Sequence, residues 1–145
     1  MLFSKWNIYK DIRRTVLGIN VPVTELEKIK KELITALITS RILDEQRFNG
    51  MYMIAVDGTG LFSFKERHCK HCIEKKYSNK TVYFHPVLEA KLVTPSGFSF
   101  SVCTEWIENE DDKYDKQDCE QKAFLRLSKK IKKLFPRLSI CVLAD

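Results

Sequence analysis

Residues 81–93, TVYFHPVLEAKLV, and residues 98–106, FSFSVCTEW, are rich in β-branched and aromatic side chains, and only TPSG separates them. Pro95 and Gly97 stand where a chain reversal wants them. The second run alternates apolar and polar residues with period two. Such a pair is an antiparallel hairpin with one buried face, and the rest of the chain must supply a layer to cover that face.

The covering elements are legible on both sides. Downstream, residues 118–135, DCEQKAFLRLSKKIKKLF, carry Phe124, Leu127, Ile131 and Leu134 on one helical stripe. Acids stand near the start of this segment and lysines near its end, the order a helix dipole favours. Asp118 is the expected N-cap, and Pro136 the stop. Residues 138–145, LSICVLAD, then read as an apolar strand. Upstream, residues 21–28, VPVTELEK, open a helix with Thr24 as N-cap and Glu27 as its capping-box partner. Leu26, Ile29, Leu33 and Leu37 continue its apolar face towards residues 40–43. Residues 51–56, MYMIAV, form a short buried strand. A variable stretch, residues 61–80, follows it, and residues 1–20 hold the makings of a further short helix.

The expected class is α/β: a mixed sheet in the order strand, strand, strand, helix, strand, preceded by an N-terminal helix or helices. Residues 1–48 form the helical segment and 49–145 the sheet-bearing core. The last strand follows a helix, so a right-handed crossover lays it parallel to the first. Their carboxyl ends then share one edge. Asp57 ends the first strand and Asp145 the last, so two carboxylates distant in sequence converge. Paired carboxylates repel until a cation joins them, and hard oxygen ligands suit Mg²⁺ or Mn²⁺. Taken alone, Asp57-Gly58 also fits a simple turn after a buried strand.

The totals bound the partners. With 145 residues, 44% apolar and 30% charged, the chain can bury a core. A formal net charge of +6 favours a polyanion. No stretch is long and apolar enough to span a bilayer, and the first residues lack the continuous apolar region of an export signal. Five cysteines, an odd number, fit reduced thiols in a cytosol. Within residues 68–72, HCKHC, the Cys69 and Cys72 pair has the spacing of a Zn²⁺ half-site. His68, His71, His85, Cys103 and Cys119 are the candidate completing ligands, against the plainer alternative of an exposed loop with reduced thiols. Lys122, Arg126, Lys129, Lys130, Lys132 and Lys133 make the second helix basic, either as a solvated face or as a phosphate-contacting one.

The stretches AVDGTG, HCKHC, TVYFHPVLEAKLVTP, KQDCEQKAFLRL and a strand ending in LAD, in that order, resemble the DDE transposases of bacterial insertion sequences over roughly residues 50–145. The resemblance implies a partial RNase H-like fold and Mg²⁺- or Mn²⁺-dependent cleavage and strand transfer on DNA. Metal-activated water would open a phosphodiester at the element end, and the freed 3′-hydroxyl would attack the target strand. Asp57 and Asp145 would hold the ions, and Gly58 and Gly60 would turn the backbone away from the metal edge. The family's third acid, a Glu on a later helix, has no counterpart before Asp145, so the expectation is a truncated transposase. DNA, at element ends and target, is the implied partner, with a second copy of the chain as a candidate one. The implied setting is the bacterial cytoplasm at the nucleoid. The competing expectation is a non-catalytic, zinc-stabilised DNA-binding module.

Overall fold

The alternation at residues 52–56 puts Tyr52, Ile54 and Val56 on one face of a strand, and in the computed structural model those three are buried while their neighbours are half-exposed. The structure describes residues 22–110 and 116–144. The elements are α1 (Val23–Thr39), β1 (Tyr52–Phe64), β2 (Ile73–Lys76), β3 (Thr81–Val93), β4 (Ser99–Trp106), α2 (Glu120–Leu134) and β5 (Ile140–Ala144). A short 3₁₀ turn, Asp44–Gln46, lies between α1 and β1. The expected helix within residues 1–20 lies outside the described residues.

The five strands make one mixed sheet. β1 and β3 pair antiparallel along nearly their whole length, from Met53↔Val93 to Phe64↔Tyr83. On the far edge of β3, β2 pairs with its first part and β4 with its second, both antiparallel. On the other side of β1, β5 runs parallel, from Tyr52↔Ile140 to Val56↔Ala144. The expected strand, hairpin, helix, parallel-strand order is therefore present, with one strand more than expected, β2, between the first strand and the hairpin. The TPSG turn closes as expected, with Thr94 and Phe98 bonded through Thr94 N–H (3.0 Å) and Gly97 at φ +89°, a left-handed conformation that favours glycine.

The core lies between the sheet and the helices. Ile54, Leu88, Ala90, Leu92, Val102 and Cys103 from the strands meet Ala123, Leu127 and Ile131 of α2 and Ile34 of α1. The deepest α2 residues recur at i, i+4, i+8, and the expected Phe124 and Leu134 flank them half-buried. Burying side chains such as Leu127 and Ile131 stabilises the fold by roughly 1.5–3 kcal/mol each.

Four local expectations are corrected. β1 does not end at Asp57: it runs on to Phe64, because β3 is equally long and pairs with the backbone through Gly58, Thr59 and Gly60. Gly58 and Gly60 therefore make no turn, and the ladder shifts register only between Gly60 and Phe62. The stretch taken as variable contains β2. Neither predicted side-chain cap forms. α1 is preceded by Pro22 and α2 by Cys119, without side-chain capping bonds. Thr24 lies inside the first turn of α1, and the Asp118 carboxylate is taken by Arg126 and by the backbone N–H of Glu108.

Candidate metal centre and carboxylate cavity

The loop between β1 and β2 brings His68, Cys69 and Cys72 against His85 of β3. The four ligand atoms lie within 4.8 Å of one another. Cys69 Sγ is 3.1 Å from Cys72 Sγ and 3.3 Å from His85 Nε2. Cys72 Sγ is 3.4 Å from His85 Nε2 and 3.6 Å from His68 Nδ1. A tetrahedral ion with Zn–N and Zn–S bonds has ligand-to-ligand edges of about 3.3–3.8 Å, close to these spacings. Two sulfurs and two imidazoles are a donor set that Zn²⁺ takes, so this cluster can hold a metal ion.

The cluster is half enclosed, with His68 and Cys69 half-buried. Cys72 is fully buried and His85 only 2% exposed. The Phe64 ring lies 3.8 Å from the His68 ring, and Trp106 meets His85 edge-on. Among the described residues, His68 Nε2 is a buried nitrogen with no hydrogen-bond partner. Burial, then the neighbouring His68 and His71, push the His85 pKa down to about 4, so its imidazole is neutral at pH 7. Burial and the Cys72 thiol raise Cys69 to about 11. The metal-free thiol thus keeps its proton at pH 7 and must release it to ligate.

Of the sequence candidates, His68, Cys69, Cys72 and His85 converge and three do not. His71 turns away, its Nδ1 2.7 Å from the Asn109 carbonyl oxygen. Cys119 precedes α2 as its cap. Cys103 sits in the core on β4, its thiol pushed up to about 12 by burial.

The carboxylates lie elsewhere on β1. Asp57 stands opposite Glu89 in the β1–β3 ladder, its side chain exposed. It lines a cavity of about 560 Å³ together with Val56, Gly58, Leu88, Phe124, Ala144 and a second acid, Glu120. Glu120 is the first residue of α2. A Cβ on Gly58 would stand 2.8 Å from Glu120 Oε1, so the absent side chain is what lets this carboxylate lie over β1. In the sequence QDCEQK, Glu120 fits a helix cap and an acidic edge equally, and nothing local distinguishes the two. At the sheet edge Ala144 of β5 pairs with Val56, and Asp145 lies outside the described residues.

The basic face of α2 is smaller than its sequence suggests. Arg126 is held by Asp118 (2.6 Å), Glu105 (2.8 Å) and the Trp106 carbonyl (2.8 Å). Lys130 donates to the Thr104 carbonyl at 2.8 Å and lies 3.3 Å from Glu27. Lys122, Lys129, Lys132 and Lys133 remain exposed to solvent. No helix among the described residues is long and apolar enough to cross a membrane.

Comparison of the chain with protein-family models, curated proteins and solved structures finds no match.

Proposed function

We propose that this chain is part of an RNase H-like catalytic core of the DDE-transposase type, acting on DNA through divalent cations held by Asp57 and Asp145. One observation carries this reading: β5 lies parallel to β1 with Ala144 opposite Val56. The next residue along each strand sequence is an aspartate, Asp57 in one and Asp145 in the other. The antiparallel strands β1, β3 and β4, the helix α2 and the strand β5 parallel to β1 give further support, with the short β2 added at the edge of β3. So does Glu120, a carboxylate from α2 that opens into the same cavity as Asp57.

A cation on these carboxylates would activate a water or 3′-hydroxyl nucleophile and neutralise charge on a phosphodiester. Asp57 contributes from within the β1–β3 ladder, one residue past the last described pair of β1 with β5, a rigid seat for a ligand. Glu120 contributes from the start of a helix anchored in the core. The exposed Lys122, Lys129, Lys132 and Lys133 offer a face to the phosphate backbone without reading bases. In this account His68, Cys69, Cys72 and His85 hold a structural Zn²⁺, because all four positions of a tetrahedron are filled by protein and none is left for substrate.

The second reading, a zinc-stabilised module that binds DNA without cutting it, is favoured by that closed centre and the exposed lysines. Mn²⁺ calorimetry on zinc-loaded protein separates the two. The catalytic reading predicts that Asp57→Asn weakens Mn²⁺ binding by tenfold or more, about 1.4 kcal/mol. Unchanged Mn²⁺ affinity in that variant, with DNA affinity that falls only when the four lysines are replaced by alanine, would leave the binding module standing instead.

A further inference from the structure

The metal centre and the carboxylate cavity are joined by one buried side chain. Asn109, in the segment after β4, is 1% exposed. Its side-chain amide donates to the Cys72 carbonyl at 2.9 Å, and its backbone N–H donates to the His71 carbonyl at 3.2 Å. Its carbonyl meets His71 Nδ1 at 2.7 Å. Its remaining acceptor, Oδ1, takes the N–H of Asp118 at 3.1 Å. Asp118 lies two residues before Glu120. A parallel strap runs through Gln117, whose amide donates to the Glu74 carbonyl at 3.0 Å and accepts the Glu74 N–H at 2.6 Å, on the strand that begins right after Cys72. The entry to α2 is therefore bonded to the metal-bearing loop.

We infer that Asn109 is a positioning residue through which metal loading at His68, Cys69, Cys72 and His85 fixes the first turn of α2, and with it Glu120 against Gly58. The inference rests on the reading of that cluster as a zinc centre. A tetrahedral ion fixes the loop from residue 68 to residue 72 relative to β3, because three ligands come from the loop and the fourth, His85, from the strand. Asn109 spends every polar group it has on this loop and on Asp118, so a shift of the Cys72 carbonyl breaks a bond in a buried, low-dielectric place where an unpaired polar group is costly. The loop and the start of α2 therefore move together or not at all.

Peptide-resolved amide hydrogen exchange on the whole chain, metal-free and at saturating Zn²⁺, tests this, with Co²⁺ substitution reporting thiolate ligation by its charge-transfer absorption. Zinc should slow exchange across residues 117–123 by a factor in the 5- to 150-fold range of coupled sites. Asn109→Ala should abolish that difference at saturating metal while the Co²⁺ spectrum persists. Asn109→Asp is the gentler second variant: it keeps an acceptor for the Asp118 N–H, loses the donor to Cys72, and should also uncouple. A merely structural role would raise exchange equally with and without zinc. Zinc that binds but leaves residues 117–123 unchanged, or a zinc effect that survives in Asn109→Asp, overturns the coupling while the metal centre stands. A chain that takes up neither Zn²⁺ nor Co²⁺ overturns both.

Discussion

Gly58→Ala separates a role in the cavity from a role in folding. A methyl group at this position would stand 2.8 Å from Glu120 Oε1, 3.3 Å from its Cδ and 3.7 Å from Leu88 Cδ2. Only the first two contacts are too close, and both belong to the far end of a flexible side chain. Glu120 can swing aside at about 0.5–1.5 kcal/mol for an off-rotamer side chain. Against this, replacing a strand glycine by alanine stabilises by about 0.4–1 kcal/mol through the unfolded chain, where the native backbone accepts a side chain. The two nearly cancel, so the melting temperature should move by no more than about 3 °C in either direction. The cavity, however, loses the Glu120 carboxylate from its place over β1. Mn²⁺ affinity of the zinc-loaded protein should therefore fall several-fold, and further truncation by Glu120→Gln in the same background should add little, because coupled positions are not additive. Calorimetry and thermal unfolding on the single and double variants decide the matter. A large loss of stability, or Mn²⁺ affinity equal to that of the parent, would refute the reasoning.

Three further expectations follow from the same geometry. Native mass spectrometry should find one Zn²⁺ per chain, lost in Cys72→Ser and His85→Ala but retained in His71→Ala and Cys119→Ser, since only the first two remove a converging ligand. Metal binding should tighten as pH rises and release protons at pH 7: Cys69, held near 11, gives up a proton on ligation, while His85, held near 4, is already neutral and gives none. Calorimetry in buffers of different ionisation enthalpy counts these protons. Leu127→Ala, which empties a fully buried site on α2, should cost about 2–5 kcal/mol in denaturant unfolding with little change in the slope.

The parts of this fold legible in the sequence are those written in local periodicity. The β3–β4 hairpin announces itself through alternation and the TPSG turn, and the stripe of α2 through its i, i+4 spacing. The parallel placement of β5 follows from the helix before it. What escaped is set by distant partners. β2, with the sequence IEKK, has no apolar signature and exists because β3 pairs with it and Gln117 bonds its edge. The continuation of β1 past Asp57 was hidden by two glycines that normally break strands, and it holds because β3 offers a ladder of equal length. The metal ligands were legible as a pool. The choice of His85 over His71 and Cys119 depends on the β1–β3 register, which sets His85 across from Phe62 and beneath the loop. Thr24 and Asp118 had the right identity for helix caps, but the helix started two residues earlier, with Pro22 at the cap, in one case, and Arg126 claimed the carboxylate in the other. The approach of Glu120 to Gly58 joins a helix end to a strand and leaves no local trace.

Whether Asp57 ligates a divalent cation beside the end of β5 decides the proposed function. Crystals of the zinc-loaded chain soaked in Mn²⁺ and measured at the manganese absorption edge would answer directly. An anomalous peak is expected within coordinating distance, about 2.0–2.3 Å, of an Asp57 carboxylate oxygen, with Asp145 on the same ion. A well-ordered Asp57 with no such peak, or Asp57 and Asp145 carboxylates turned to opposite faces of the sheet, would contradict the proposed function.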